Sequence, residues 1–272
     1  MAAGEDNPGD APAPARKGLE GRAKNFIELV DVHKAIGDQQ ILRGVNLAVA
    51  EGETLVVLGY SGAGKSVMLR HFLGLIAPDS GKVIVDGVDV AALPENKLAP
   101  TRKKIGMLFQ NGALFDSMNV LRNVAFPLRE RGERQQKVLD QKAYAALELV
   151  GLHEHGEKMP VELSGGMRKR VALARAIITE PQCILYDEPT AGLDPVAADS
   201  IDHLIRRLKK TLGVTSVVVT HDMQSATKIA DRVAMLMDGQ IYFFGTPDEL
   251  MASRDPLLKN FVDGNSGESS ST

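Results

Sequence analysis

The chain contains a single cysteine, Cys183. One thiol cannot close an internal disulfide, so burial and hydrogen bonding must hold the fold, as suits a reducing cytosol. No apolar run approaches the roughly 20 residues needed to cross a bilayer. Met1 to Arg16 carries Ala, Pro, Gly and acids where the apolar core of a signal peptide would lie. Contact with a membrane is therefore expected only through other chains. The formal net charge is −3, so no overall basic field points to nucleic acid as a partner.

What is present suits a packed globular protein. The length of 272 residues allows one large domain or two small ones. Met1 to Lys24 is rich in Ala, Pro and Gly and is expected to be a disordered tail. Asn265 to Thr272, rich in Gly and Ser, is read the same way. Between them strand and helix signals alternate.

Phe26–Val32 and Ile41–Val49 alternate in part around Gly37-Asp38, which predicts antiparallel strands. Thr54–Leu58 is a short apolar run stopping at Gly59, the mark of a buried strand. A helical pattern follows through Leu69, Phe72 and Leu73, and a short strand is expected at Val83–Val85. From about Pro94 to Ala176 the reading is mostly helical. Cys183–Tyr186, Ser216–Val219 and Val233–Met237 are buried-strand candidates, with Ile241–Phe244 a further strand at the edge. The expected class is α/β: a mostly parallel sheet with flanking helices, an antiparallel subdomain near the N-terminus and an inserted helical subdomain at about 96–176. The main domain is expected over 25–250, followed by a C-terminal extension, 251–272, that is partly disordered.

Three motifs carry chemistry. Gly59-Tyr60-Ser61-Gly62-Ala63-Gly64-Lys65-Ser66, followed by Val67, fits the P-loop pattern. Glycines let the backbone turn its N–H groups onto a phosphate, and the helix that follows adds a partial positive end. Lys65 is placed to reach the β- and γ-phosphates of ATP, and the Ser66 hydroxyl to ligate Mg²⁺. Ile184-Leu185-Tyr186-Asp187-Glu188 sets two carboxylates at the end of an apolar strand. Adjacent strand residues face opposite ways, so Asp187 is expected to face the metal and Glu188 the attacking water. Leu163-Ser164-Gly165-Gly166-Met167 precedes a helix, with Ser164 a candidate N-cap and exposed N–H groups suited to an anion.

With Ala191-Gly192-Leu193-Asp194 and Thr220-His221-Asp222 in order downstream, the chain resembles an ATP-binding cassette subunit of a membrane transporter over about Phe26 to Leu250. The resemblance implies a RecA-like P-loop NTPase core and a pair of chains enclosing ATP and Mg²⁺. It implies that Ser164 and Gly166, with Gly165 and Met167 beside them, meet the γ-phosphate held by the second copy. It makes Asp187 the magnesium aspartate, Glu188 the general base and His221 a γ-phosphate contact. Asp194 becomes the acid of the loop bridging the two copies, a role compatible with capping the helix at Pro195. Gln110 becomes the residue that senses Mg²⁺ and transmits to the membrane subunits. Two positions depart from the pattern. Ile36 stands where an aromatic usually stacks on adenine, and Met167 where glutamine usually ends the signature.

Met107–Phe115, Met118-Asn119-Val120, Asn123–Glu130, Gly245-Thr246-Pro247 and Phe261-Val262-Asp263-Gly264 are similar to the ATPase subunit of Mla/Mce-type lipid transporters. That similarity implies integral-membrane permease subunits, an Mce-domain substrate-binding protein and phospholipid cargo. It puts the chain at the cytoplasmic face of a bacterial inner membrane. An importer ATPase for amino acids or other small solutes, and a soluble ATPase outside transport, are the alternative readings. The C-terminal tail is either a grip on the partner copy or a frayed end, and the charged stretch Leu128–Lys142 a solvated face or a permease contact.

Overall fold

The structure is a computed structural model that describes residues 24–264. The tail expected before Lys24 and the Gly/Ser-rich end, 265–272, lie outside the described residues. In chain order the elements are strands β1 (Asn25–Ile36), β2 (Gln39–Ala50) and β3 (Thr54–Leu58), helix α1 (Lys65–Phe72), β4 (Ser80–Val85), β5 (Val88–Asp89), α2 (Ala99–Arg102), β6 (Ile105–Leu108), α3 (Val120–Glu130), α4 (Gln136–Leu149) and α5 (Gly165–Ile177). Then follow β7 (Cys183–Asp187), α6 (Pro195–Leu212), β8 (Thr215–Thr220), α7 (Met223–Ile229), β9 (Arg232–Met237), β10 (Gln240–Gly245), α8 (Pro247–Met251) and α9 (Pro256–Val262).

Two sheets form. One has the order β2-β1-β4-β5 and its pairs are antiparallel; the other has the order β10-β9-β3-β8-β7-β6. In the second sheet every pair is parallel except β10 with β9 at the edge. Its inner strands are apolar on both faces because both faces are covered. Leu55, Val57, Cys183, Leu185, Val217 and Val219 pack toward α1 and the antiparallel sheet, with Met68, Leu69 and Phe72. Their neighbours Val56, Leu58, Ile184, Tyr186 and Val218 pack toward α3 to α7. The pleat thus splits each run between two cores.

The stretch expected to be mostly helical from about Pro94 contains a strand, β6, which belongs to the parallel sheet beside β7. Gly106 sits in it because a Cβ there would lie 2.5 Å from the Ala176 carbonyl oxygen. That close approach to α5 is invisible in the sequence. The helices that follow, α3 to α5, form the helical insertion. Beyond residue 250 the chain is still ordered: α9 buries Leu258 and Phe261 in the main core. Among the described residues no helix is long and apolar enough to cross a membrane.

Candidate active site

The C-terminal ends of β3, β7 and β8 lie side by side in the parallel sheet, where such sheets present their ligand sites. From β3 the chain turns through Gly59–Gly64 into α1. The turn tolerates only glycine at two points. Gly64 has φ 101°, and a Cβ on it would sit 2.8 Å from Ile41 Cγ2; on Gly59 it would meet the Leu236 carbonyl at 2.5 Å. The turn is thereby clamped between β2 and β9. Tyr60 points away and meets Phe261 of α9 edge to face, with ring centroids 5.1 Å apart.

Lys65 opens α1 and is only 6% exposed. Its Nζ donates to the Gly59 carbonyl at 2.7 Å and the Tyr60 carbonyl at 3.1 Å, and lies 3.6 Å from Glu188 Oε1. Burial pulls its pKa below the ordinary lysine value, and the nearby Glu188 and Asp187 charges oppose that. Next to it, Ser66 Oγ donates to Asp187 Oδ1 at 2.8 Å. Burial raises the Asp187 pKa and the Ser66 bond lowers it.

Glu188 does not continue the strand. Its φ is 47°, and its N–H donates to the Val219 carbonyl at 2.9 Å. The expectation that strand alternation aims Glu188 is corrected here: a left-handed step held by β8 aims it. Such a conformation costs of order 1–3 kcal/mol in a non-glycine residue. Its carboxylate ends within 3.0 Å of His221 Nδ1, so the ring's Nδ1–H can donate to it. His221 follows β8 and is itself largely exposed.

The signature and Asp194 residues take their hydrogen bonds outside this cluster. Ser164 caps α5, its hydroxyl accepting from the Met167 N–H at 3.3 Å. Gly165 and Gly166 stand against Leu193 and Ala197, beside the loop of Asp194. Asp194 caps α6 by accepting from the Val196 and Ala197 N–H groups, both at 3.0 Å. Among the described residues no hydrogen bond or ion pair joins Ser164–Met167 to Lys65, Ser66, Asp187 or Glu188. Gln110 is exposed just past β6. Ile36 is 53% exposed at the end of β1, and neighbouring Ile41 touches the phosphate turn. Sequence reasoning missed Lys169. It lies in a basic run, Arg168-Lys169-Arg170, within the expected helix and carries no local signal of burial, yet it is 6% exposed and its ammonium donates to the Gln110 and Glu188 carbonyls.

Comparisons with known proteins show the family. The family model for ABC transporters matches residues 42–191, more than half of the chain. The intermembrane phospholipid transport system ATP-binding protein MlaF of Escherichia coli K12 is 42% identical over 246 residues, covering 90% of this chain and 91% of that one. A protein of Mycobacterium leprae named as a probable ribonucleotide transport ATP-binding protein, mkl, is 40% identical, covering 88% of this chain and 69% of its own length. Among solved structures, the dimeric ATP-binding cassette MJ0796, in a post-hydrolysis state bound to ADP and Pi, matches with TM-score 0.74 at 34% identity. That match covers 81% of this chain and 98% of that one. The cradle, the paired carboxylates and these likenesses lead to one assignment: this chain belongs to the ABC transporter ATP-binding family.

Proposed function

We propose that the chain is the ATP-hydrolysing subunit of an inner-membrane transporter that moves phospholipid between the inner and outer membranes. The observation that carries the ATPase reading is the convergence of Lys65, Ser66, Asp187, Glu188 and His221 at the ends of three adjacent strands. The lipid reading rests on the 42% identity to MlaF over nine-tenths of both chains.

In this reading the backbone of Gly59–Val67 and the Lys65 ammonium hold the triphosphate, and Ile36 lies beside the base. Ser66 and Asp187 fit a hard cation, since a hydroxyl and a carboxylate already meet at 2.8 Å and Mg²⁺ prefers such oxygen ligands. Gln110 completes that set. Bound Mg²⁺ would neutralise charge on the phosphate oxygens. Glu188 accepts a proton from water as the water oxygen bonds to the γ-phosphorus. The bond from that phosphorus to the bridging oxygen breaks, leaving ADP and phosphate. His221 holds Glu188 in place and meets the γ-phosphate.

Among the described residues the signature turn makes no hydrogen bond to this cluster, and the family resemblance gives its role to a second copy. Ser164, Gly165, Gly166 and Met167 of one copy therefore close the pocket of the other, with Asp194 between the two. Permease subunits and an Mce-domain protein complete the assembly, which holds this chain at the cytoplasmic face. The decisive experiment is purification with the native membrane partners, followed by mass spectrometry of proteins and bound small molecules. Co-purified phospholipid and an Mce-domain protein are expected. A ribonucleotide, an amino acid or a soluble solute-binding protein in their place overturns the lipid reading.

A further inference from the structure

We propose that Lys169 is a positioning residue that sets the distance between the Gln110 loop and Glu188. The proposal rests on the roles given above to those two residues. The pairing of β6 with β7 ends at Leu108 and Tyr186. Two residues further on each chain come Gln110 and Glu188, past the last ladder partners. At that gap the Lys169 ammonium reaches in from α5 and donates to both main-chain carbonyls, that of Gln110 and, at 3.1 Å, that of Glu188. The Glu188 carbonyl also accepts the Ala191 N–H at 3.2 Å. One side chain thus takes over where the strand ladder stops, and it does so on the residue held at φ 47°.

Packing alone does not require a lysine here. The group is 6% exposed, and burial lowers its pKa while Asp187 and Glu188 raise it. A buried ammonium without a directly paired carboxylate is costly to keep, and an apolar residue of similar length would avoid that cost. Hydrogen bonds from a charged donor are shorter and stronger than neutral ones, and one ammonium bonded to both carbonyls ties the two loops together. Lys65, by contrast, rests on its own loop and is free to change partners when phosphate arrives. Lys169 is then the cation that stays behind Asp187 and Glu188 throughout.

The test uses the full chain with Lys169→Met, which keeps length and removes the donors, and Lys169→Arg, which keeps them. Turnover, affinity for a fluorescent ATP analogue, and the Mg²⁺ concentration for half-maximal turnover are measured together, with Glu188→Gln alongside. Lys169→Met is expected to lower kcat at least about tenfold, since small misplacements of catalytic groups carry losses of this order. It should leave nucleotide affinity within about threefold, raise the Mg²⁺ requirement, and be largely relieved in Lys169→Arg. If Lys169→Met does not fold, Lys169→Gln is judged by the same criteria. Turnover within about twofold of the parent, or a loss that Lys169→Arg does not relieve, overturns the proposal. Normal turnover in Glu188→Gln instead overturns the base assignment beneath it.

Discussion

Lys65 Nζ stands 3.6 Å from Glu188 Oε1 while donating to the carbonyls of its own turn. In the proposed function this lysine holds phosphate and this carboxylate takes a proton from water, and the two are neighbours within the chain. On that reading a bound triphosphate takes over the Lys65 ammonium and leaves Glu188 to water.

Replacing Glu188 with Gln keeps the shape and removes the basic oxygen. Turnover should fall by roughly two to four orders of magnitude, the usual worth of a general base. ATP binding should persist, and the closed pair should accumulate. Steady-state hydrolysis and size-exclusion chromatography with ATP check both parts; near-normal hydrolysis would remove Glu188 from its role.

The proposed sharing of each pocket between two copies predicts complementation. A chain with Lys65→Ala is expected to be inactive, and so is one with Ser164→Ala. In a mixed pair, Lys65 of the second chain faces Ser164 of the first, so one pocket is whole and the other doubly damaged. Mixed pairs isolated with two affinity tags should show about half the parent turnover per pair (one pocket of two). No recovery in an intact assembly means that the pockets are not shared.

Ile36 presents an exposed aliphatic side chain, and in the proposed function the base lies beside it. Ring–base stacking contributes about 1–3 kcal/mol. Ile36→Tyr should therefore tighten ATP binding at least about fivefold and should leave kcat near the parent value. Isothermal titration with ATP settles it: unchanged affinity means that the base does not lie over this position.

Asp202 on α6 is 2% exposed, accepts from Ser225 Oγ at 2.9 Å through Oδ2, and among the described residues has no partner for Oδ1. Burial raises its pKa from 3.8 to about 6, with Asp222 and Asp199 adding to the rise and Ser225 and Lys228 opposing it. The folded state therefore binds the proton more tightly than the unfolded state. The associated stability is fully present below about pH 4 and is lost as pH rises to about 6. Asp202→Asn removes this dependence. Its stability relative to the parent should climb across that window, by at most about 3 kcal/mol, and then level off. Urea midpoints at a series of pH values measure the difference; a constant difference would refute it.

Much of the site was legible because its demands are local. The P-loop needs glycines at fixed spacing ahead of a lysine, and Thr54–Leu58 and Lys65–Phe72 flank it as the periodicity predicts. Ser164 and Asp194 cap helices because short polar side chains satisfy the first N–H groups. The buried strands announced themselves as apolar runs, since both faces of the sheet are covered. Ile105–Leu108 was missed because four residues with a glycine among them carry no readable period.

The sequence by itself therefore determined the cradle, the acid pair, the capped turns and the alternation of strands and helices, all of which depend on neighbours a few residues away. Tertiary structure alone decided the rest. The left-handed turn at Glu188 comes from β8, the inward course of Lys169 from two loops about 60 and 20 residues distant, and the seat of α9 from its contact with Tyr60. Such placements depend on which distant carbonyls and rings share a space, and no local pattern of residues encodes that.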